Sequence, residues 1–170
     1  MNEKYPVHIM IKPEGRAQFL DFIRSKIDLL TLEDDIDVNA HFVTILTEEQ
    51  VLMIYPEEKI PVAFKQRITE TPTEHYIMHG SERIYGLANE MKGKVIPSSG
   101  IRGILVEASK KLDIPLERWT NFVHSSESIE EAYPICSHFI KDIATCSGCV
   151  ARSLCYGARG SSMPDTSLRP

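Results

Sequence analysis

The chain has 170 residues, 42% of them hydrophobic and 25% charged, with a formal net charge of −5 and a pI near 5.7. This is the make-up of one ordinary globular domain with enough core to fold unaided. It argues against a general nucleic-acid binder but leaves room for a local basic pocket. No stretch approaches the roughly 18 consecutive apolar residues of a membrane span. The apolar run near the N-terminus is too short and too early interrupted for a signal peptide, so a cytoplasmic protein is expected.

PVHIMIK (6–12) is a short, largely apolar, strand-like run. Pro13 follows it where a helix can begin, its fixed φ suiting the first turn. RAQFLDFIRSKIDLL (16–30) sets Phe19, Phe22, Ile23, Ile27 and Leu30 at helical spacing. DIDVNAHFVTIL (35–46) is β-rich. Thr47, followed by Glu48, Glu49 and Gln50, reads as an N-cap with acids in the first turn, opening a short helix that Pro56 stops. PVAFKQRIT (61–69) is a second short helix, EHYIMHG (74–80) a strand, and ERIYGLANEMKG (82–93) a helix closed by Gly93. KVIPSSGIRG (94–103) reads as a loop and ILVEASKKL (104–112) as a helix. DIPLERW (113–119) reads as a turn and short helix, and NFVH (121–124) as a brief strand. Ser128 and Glu131 have capping-box spacing, opening a helix to about Ile143 that Pro134 should kink. This order suits an α+β fold: a ferredoxin-like βαββαβ antiparallel sheet with helices on one face. A short C-terminal Cys-rich appendage completes it. The division expected is a domain over 1–143 and a Cys-rich segment with polar tail over 144–170.

The sequence lacks GxxxxGK[ST], GxGxxG, HExxH and GxSxG. What stands out is TNFVHSSES (120–128), where an apolar pair delivers His124 into a run of serines and a glutamate. A lone histidine in such a place is more often structural. It gains weight because IKPEG (11–15), IRG (101–103) and NFVHSSESIEEA (121–132) occur in that order. With these three blocks the chain resembles the nucleoside diphosphate kinases, whose hallmark pieces are IKPDG, PGTIRG and NxxHGSDSxExA. The likeness spans most of residues 6–139.

The resemblance implies a ferredoxin-like domain whose histidine takes the terminal phosphate of a nucleoside triphosphate and passes it to a diphosphate. It assigns the phosphohistidine to His124, phosphate contacts to Lys12, Tyr55 and Arg102, and a pocket contact to Asn121, with Ser126 close to the histidine. It also implies Mg2+ carried with the nucleotide, a nucleoside tri- or diphosphate or related small molecule as substrate, and a homo-oligomer; it implies no membrane partner. The physics agrees, since phosphoryl transfer needs positioned cations around the phosphate oxygens, and a neutral imidazole is a competent nucleophile near pH 7.

The chain departs from the family pattern at several places. An arginine of the family falls at Ala88 or Asn89, a threonine at Lys94 or Val95, and the glutamate that orients the histidine at Ile135. The loop to Arg102 is shorter, and the stretch from Arg102 to Asn121 is longer. Lys92, Lys94 or Arg83 are candidates to replace the charge, and Glu127, Glu130 or Glu131 the acid. Because these changes rim the pocket, two further readings stand beside the kinase. One is a nucleotide sensor or regulatory module without turnover; the other is a nucleotide-processing enzyme of another reaction type.

All four cysteines, Cys136, Cys146, Cys149 and Cys155, fall in one window spaced C-x9-C-x2-C-x5-C. The C-x2-C-x5-C part resembles the [4Fe–4S] loop of endonuclease-III-type DNA glycosylases, where the first cysteine stands closer. Four thiolates suit a [4Fe–4S] cluster or Zn2+, and four reduced cysteines packing a C-terminal helix fit equally. His138, one helical step from Cys136, is a further ligand candidate or a helix-surface residue. His41, His75 and His79 read as structural or exposed.

Overall fold

The computed structural model describes residues 4–33, 35–55, 60–116 and 121–145, and the side chains of all but 142–145. Its four strands are β1 (Tyr5–Ile11), β2 (Asp37–Thr44), β3 (Thr73–Gly80) and β4 (Val123–Ser125). They form one antiparallel sheet in the order β2-β3-β1-β4. Seven helices accompany them: α1 (Pro13–Gln18), α2 (Leu20–Leu30), α3 (Glu48–Ile54), α4 (Val62–Glu70), α5 (Ile84–Lys92), α6 (Gly100–Lys111) and α7 (Ile129–Thr145). This is the expected α+β, ferredoxin-like architecture.

Helices cover both faces of the sheet, not one. Alternate β1 residues point to opposite sides. Val7, Ile9 and Ile11 pack against Ile23 and Ile27 of α2, Ile84 and Ala88 of α5, and Ile101 and Leu105 of α6. Met10 packs on the other side with Val51 and Ile54 of α3, Phe64 and Ile68 of α4, and Ile135, Cys136 and Phe139 of α7. The apolar stripe of α7 needs a partner, and the second face of β1 and β3 supplies it.

Three local readings change. The helix expected over 16–30 is two helices, because Phe19 leaves the helical region at φ −134° and ψ 23°. The loop expected over 94–103 ends early: Lys94 and Ser99 exchange backbone hydrogen bonds of 3.2 and 3.0 Å, and α6 starts at Gly100. Gly93 (φ 69°) and Gly100 (φ 56°) close this turn back to back. A Cβ on Gly93 would sit 2.0 Å from the Ser99 carbonyl oxygen. The α7 helix continues through Pro134 to Thr145, without the intrahelical bond that an N–H at that position would donate.

The pairing of β4 with β1 places His124 opposite Met10. It is extended by a 2.9 Å bond from Lys12 N–H to the Phe122 carbonyl. Phe122 has φ 62°, a left-handed conformation that a bulky residue adopts only when its surroundings demand it. Gly15 stands against the same carbonyl: a Cβ there would lie 2.8 Å from Phe122 O and 2.8 Å from Ile23 Cδ1. Gly15→Ala should therefore lower stability by about 1–3 kcal/mol, the usual cost of overpacking. Denaturant unfolding would show it as a fall in midpoint with the slope unchanged.

Candidate functional site

His124 is held at the centre of β4, and its side chain is 12% exposed. Its Nε2 lies 3.3 Å from Glu131 Oε1, within ion-pair reach but off the line of a hydrogen bond. Glu131 is itself fixed, because its Oε2 accepts from the Glu127 backbone N–H at 2.9 Å. Burial holds the His124 imidazole below its ordinary pKa, with Glu131 opposing and Lys12 and Lys92 adding to the depression. The ring is therefore neutral near pH 7. Burial pushes the Glu131 carboxyl up, but His124, the Glu127 N–H and Lys92 together take it below the usual range.

Lys12 stands at the N-cap of α1 and is 1% exposed. Its ammonium lies over the rings of Tyr55 (5.2 Å) and Phe64 (4.9 Å). Burial brings its pKa down to about 7, partly opposed by Glu14 and reinforced by Arg102, Arg67 and Lys92. Tyr55 joins the two groups, its ring edge-on to His124 at 5.2 Å. The Tyr55 hydroxyl and both carboxylate oxygens of Glu14 are buried without hydrogen bonds. Glu14 is offset by Arg67 at 4.0 Å, and the Tyr55 hydroxyl is left able to take a polar partner.

A cavity of about 540 Å³ opens beside this cluster, lined chiefly by Asn89, Lys92, Lys94, Ser99, Arg102 and Glu127. Arg102 is anchored by two donated bonds, from Nε (3.1 Å) and Nη2 (2.9 Å), to the Val123 carbonyl next to His124. Lys92, 3% exposed, is 2.6 Å from Glu127 and 3.4 Å from the Ser125 carbonyl. Burial lowers its pKa while Glu127 opposes.

Lys12, Tyr55 and His124 thus come into mutual contact, and Arg102 joins them through the backbone of β4. Asn121 stands at the entry to β4, where its carbonyl accepts from Val123 N–H at 2.7 Å and its Oδ1 is buried unpaired. Ser126 is placed differently from the expectation: its hydroxyl accepts from His8 N–H at 2.9 Å. Of the three candidate cations, Lys92 and Lys94 line the cavity, whereas Arg83 lies at the far end of α5. Of the three candidate acids, Glu131 reaches His124, Glu127 pairs with Lys92, and Glu130 is exposed. Ile135 is buried in the core.

Cys136 is 2% exposed among apolar side chains, and burial drives its thiol up to about 12. Cys146, Cys149 and Cys155 lie outside the described residues. Among the described residues no group of three metal-ligating side chains occurs. His41 is bonded to Glu74 at 2.7 Å, within a buried network that Arg24 also joins through two bonds of 2.8 and 2.9 Å. His138 lies 3.5 Å from the Gln50 amide. Among the described residues no helix is long and apolar enough to cross a membrane.

No protein-family model and no curated protein sequence matches the chain. Solved structures do. The nucleoside diphosphate kinase of Borrelia burgdorferi, in a transition-state mimic with vanadate and ADP, superimposes with a TM-score of 0.57 at 17% identity, over 78% of this chain and 86% of that one. The Aquifex aeolicus nucleoside diphosphate kinase gives 0.56 at 16% identity, over 81% and 95%. The Encephalitozoon cuniculi enzyme, in its apo form, gives 0.58 at 16% identity, over 80% and 88%. At this identity the likeness establishes the fold that the three sequence blocks implied.

The state of Lys12 has a measurable consequence. Above about pH 7 the ammonium is largely deprotonated in the ligand-free fold, although an exposed lysine keeps its proton to about pH 10.4. A phosphate-bearing anion next to Lys12 restores the charge, so binding takes up a proton between those limits and affinity falls as pH rises through them. Calorimetry of ATP binding at pH 8, in buffers of different ionisation heat, should show uptake approaching one proton. At pH 6 it should show little from Lys12, and Lys12→Met should abolish the uptake at pH 8.

Proposed function

We propose that the chain is a nucleotide phosphotransferase that works through a phosphohistidine at His124. The observation that carries this reading is the placement of His124: a neutral, nearly buried imidazole, one nitrogen facing a fixed carboxylate, beside a buried lysine and an anchored arginine. With the ring proton on Nε2, the nitrogen 3.3 Å from Glu131, the Nδ1 lone pair is the nucleophile. It attacks the terminal phosphorus, an N–P bond forms, and the bond to the bridging oxygen breaks. That oxygen's electron pair leaves with the diphosphate. The positive charge left on the ring is offset by Glu131, and a second diphosphate reverses the step. Lys12, Arg102 and Lys92 supply positive charge around the transferred group, Tyr55 a hydroxyl, and Asn121 an amide. Mg2+ enters on the phosphates as part of the substrate. A nucleoside di- or triphosphate in a cytoplasmic homo-oligomer is the setting this reading supplies.

A second reading has one observation in its favour. Lys12 is sealed beneath Tyr55 and Phe64, and Lys92 is already engaged by Glu127. A sensor that binds nucleotide without turnover would rest in such a closed state. No function is derived for a zinc or [4Fe–4S] centre, because Cys146, Cys149 and Cys155 lie outside the described residues.

Incubation with γ-labelled ATP separates the readings. The wild type should acquire an acid-labile, base-stable label that chases into added diphosphate, and His124→Ala should acquire none while still binding nucleotide. A wild type that binds ATP but never labels favours the sensor. Arg102→Ala should reduce kcat/KM on the order of 10²-fold, with KM and kcat both affected because its charge serves bound substrate and transition state alike.

A further inference from the structure

On the sheet face that carries His124 lies a line of buried polar groups that the proposed transfer does not use. His8 of β1 and His75 of β3 are both fully buried. His8 Nε2 is 2.9 Å from His75 Nδ1, and His75 Nε2 is 2.7 Å from Thr73 Oγ1. The Thr73 hydroxyl in turn donates to the Thr44 carbonyl at 3.1 Å.

These contacts fix the protons. A hydroxyl has one proton, and a neutral imidazole has one N–H. With its proton on the Thr44 carbonyl, Thr73 Oγ1 accepts from His75 Nε2–H. His75 Nδ1 is then a lone pair and accepts from His8 Nε2–H. His8 Nδ1 is left bare, buried and without a partner. The reverse order would take the donor from Thr44 and strand a buried N–H on His8, the costlier arrangement.

The His8 ring is 6.0 Å from the His124 ring, with His75 at 5.2 Å and Phe139 of α7 at 5.7 Å. The titratable groups around it are few. His75 faces it from β3 and His124 from β4, and Lys12 shares its side of β1. On α7, Glu131 is committed to His124, and the Cys136 thiol stays neutral. Burial, then the two histidines, hold the free His8 well below the ordinary pKa, and burial takes His75 down to about 3. The pair is therefore uncharged in the resting fold and responds to any anion placed on His124.

We propose that His8 is the proton acceptor for the charged state of His124. When the His124 ring carries a phosphoryl group, His8 Nδ1 takes one proton from solvent, and the His8–His75 pair becomes its buried counter-charge. The occasion for this rests on the phosphohistidine reading; the response to charge does not. A phosphoryl dianion outweighs the ring's positive charge, so phosphorylation adds net negative charge beside His8 and raises its pKa. The phosphorylated state then binds more protons than the free state. At fixed donor concentration the phosphohistidine level rises as pH falls through the raised His8 pKa.

The test is nuclear magnetic resonance of the full chain with 15N-labelled histidine. His8→Phe, an apolar ring of similar size, assigns the His8 signal. Three samples are titrated between about pH 6 and 8, where histidine charge changes matter: the wild type, the wild type phosphorylated by phosphoramidate, and His124→Asp. Phosphoramidate needs no nucleotide site, and the aspartate needs no phosphoryl chemistry. Free His8 should show a bare Nδ1 throughout, and in both charged samples Nδ1 should become protonated as the pH falls through this range. A protonated Nδ1 in the free chain, or a bare Nδ1 throughout in the charged samples, overturns the proposal. If ATP fails to label His124 while His8 still responds to phosphoramidate or Asp, the kinase reading falls and this one stands. If ATP labels His124 and His8 does not move, the reverse holds.

Discussion

The candidate site depends on one backbone hydrogen bond, from Lys12 N–H to the Phe122 carbonyl. It continues the β1–β4 ladder past the last strand residue, so the residue ending β1 and the residue entering β4 are joined in register. Lys12 and His124 are then brought to one end and one face of the sheet, and Arg102 locks onto the Val123 carbonyl from the other side. The geometry is bought with a left-handed Phe122 and a glycine where any Cβ would strike the same carbonyl. Such local strain persists only where the surrounding contacts over-determine it.

Around that bond, the sheet buries an unusual set of polar groups: His8, Lys12, Thr73 and His75 on its second face and Glu74 on its first. Each costs free energy unless it is paired. Glu74 is paired, accepting from Arg24, His41 and Tyr76, and these partners pull its carboxyl well down although burial pushes it up. His75 is paired through Thr73 and His8. Near His124, the Tyr55 hydroxyl and His8 Nδ1 are buried without hydrogen bonds. A charged ligand beside His124 would relieve the desolvation that these atoms carry.

Much of this was legible in the residues. The strands and most helices follow from apolar spacing, and the three ordered blocks identified Lys12, Arg102 and His124 because each block carries a backbone requirement as well as a side chain. Gly15 and Pro13 of IKPEG are such requirements. What could not be read depends on tertiary packing. Phe19 interrupts a run with good helical spacing. His8 looks like any strand residue until β3 brings His75 beside it, and no local signal distinguishes it from His79. Both faces of β1 are apolar enough to be covered, but only the course of α7 shows what covers the second.

The departures from the kinase pattern share a geometry. The family's arginine position falls at Ala88, which is buried in the core, or at Asn89, which lines the cavity, while Lys92 reaches the site from further along α5. The family's acid position falls at Ile135, also buried, while Glu131 reaches His124 from four residues earlier on α7. Residues four apart share a helix face one turn from each other. On α7 the acid that faces His124 thus stands one turn nearer β4 than the buried Ile135. Lysine does not reproduce a planar arginine fork, and Glu127 already holds Lys92. The pocket therefore keeps its charge near the histidine but presents it as a point, already paired, at the cavity wall. A ligand that binds here has to separate Lys92 from Glu127, and that exchange distinguishes this pocket from one whose cations stand open.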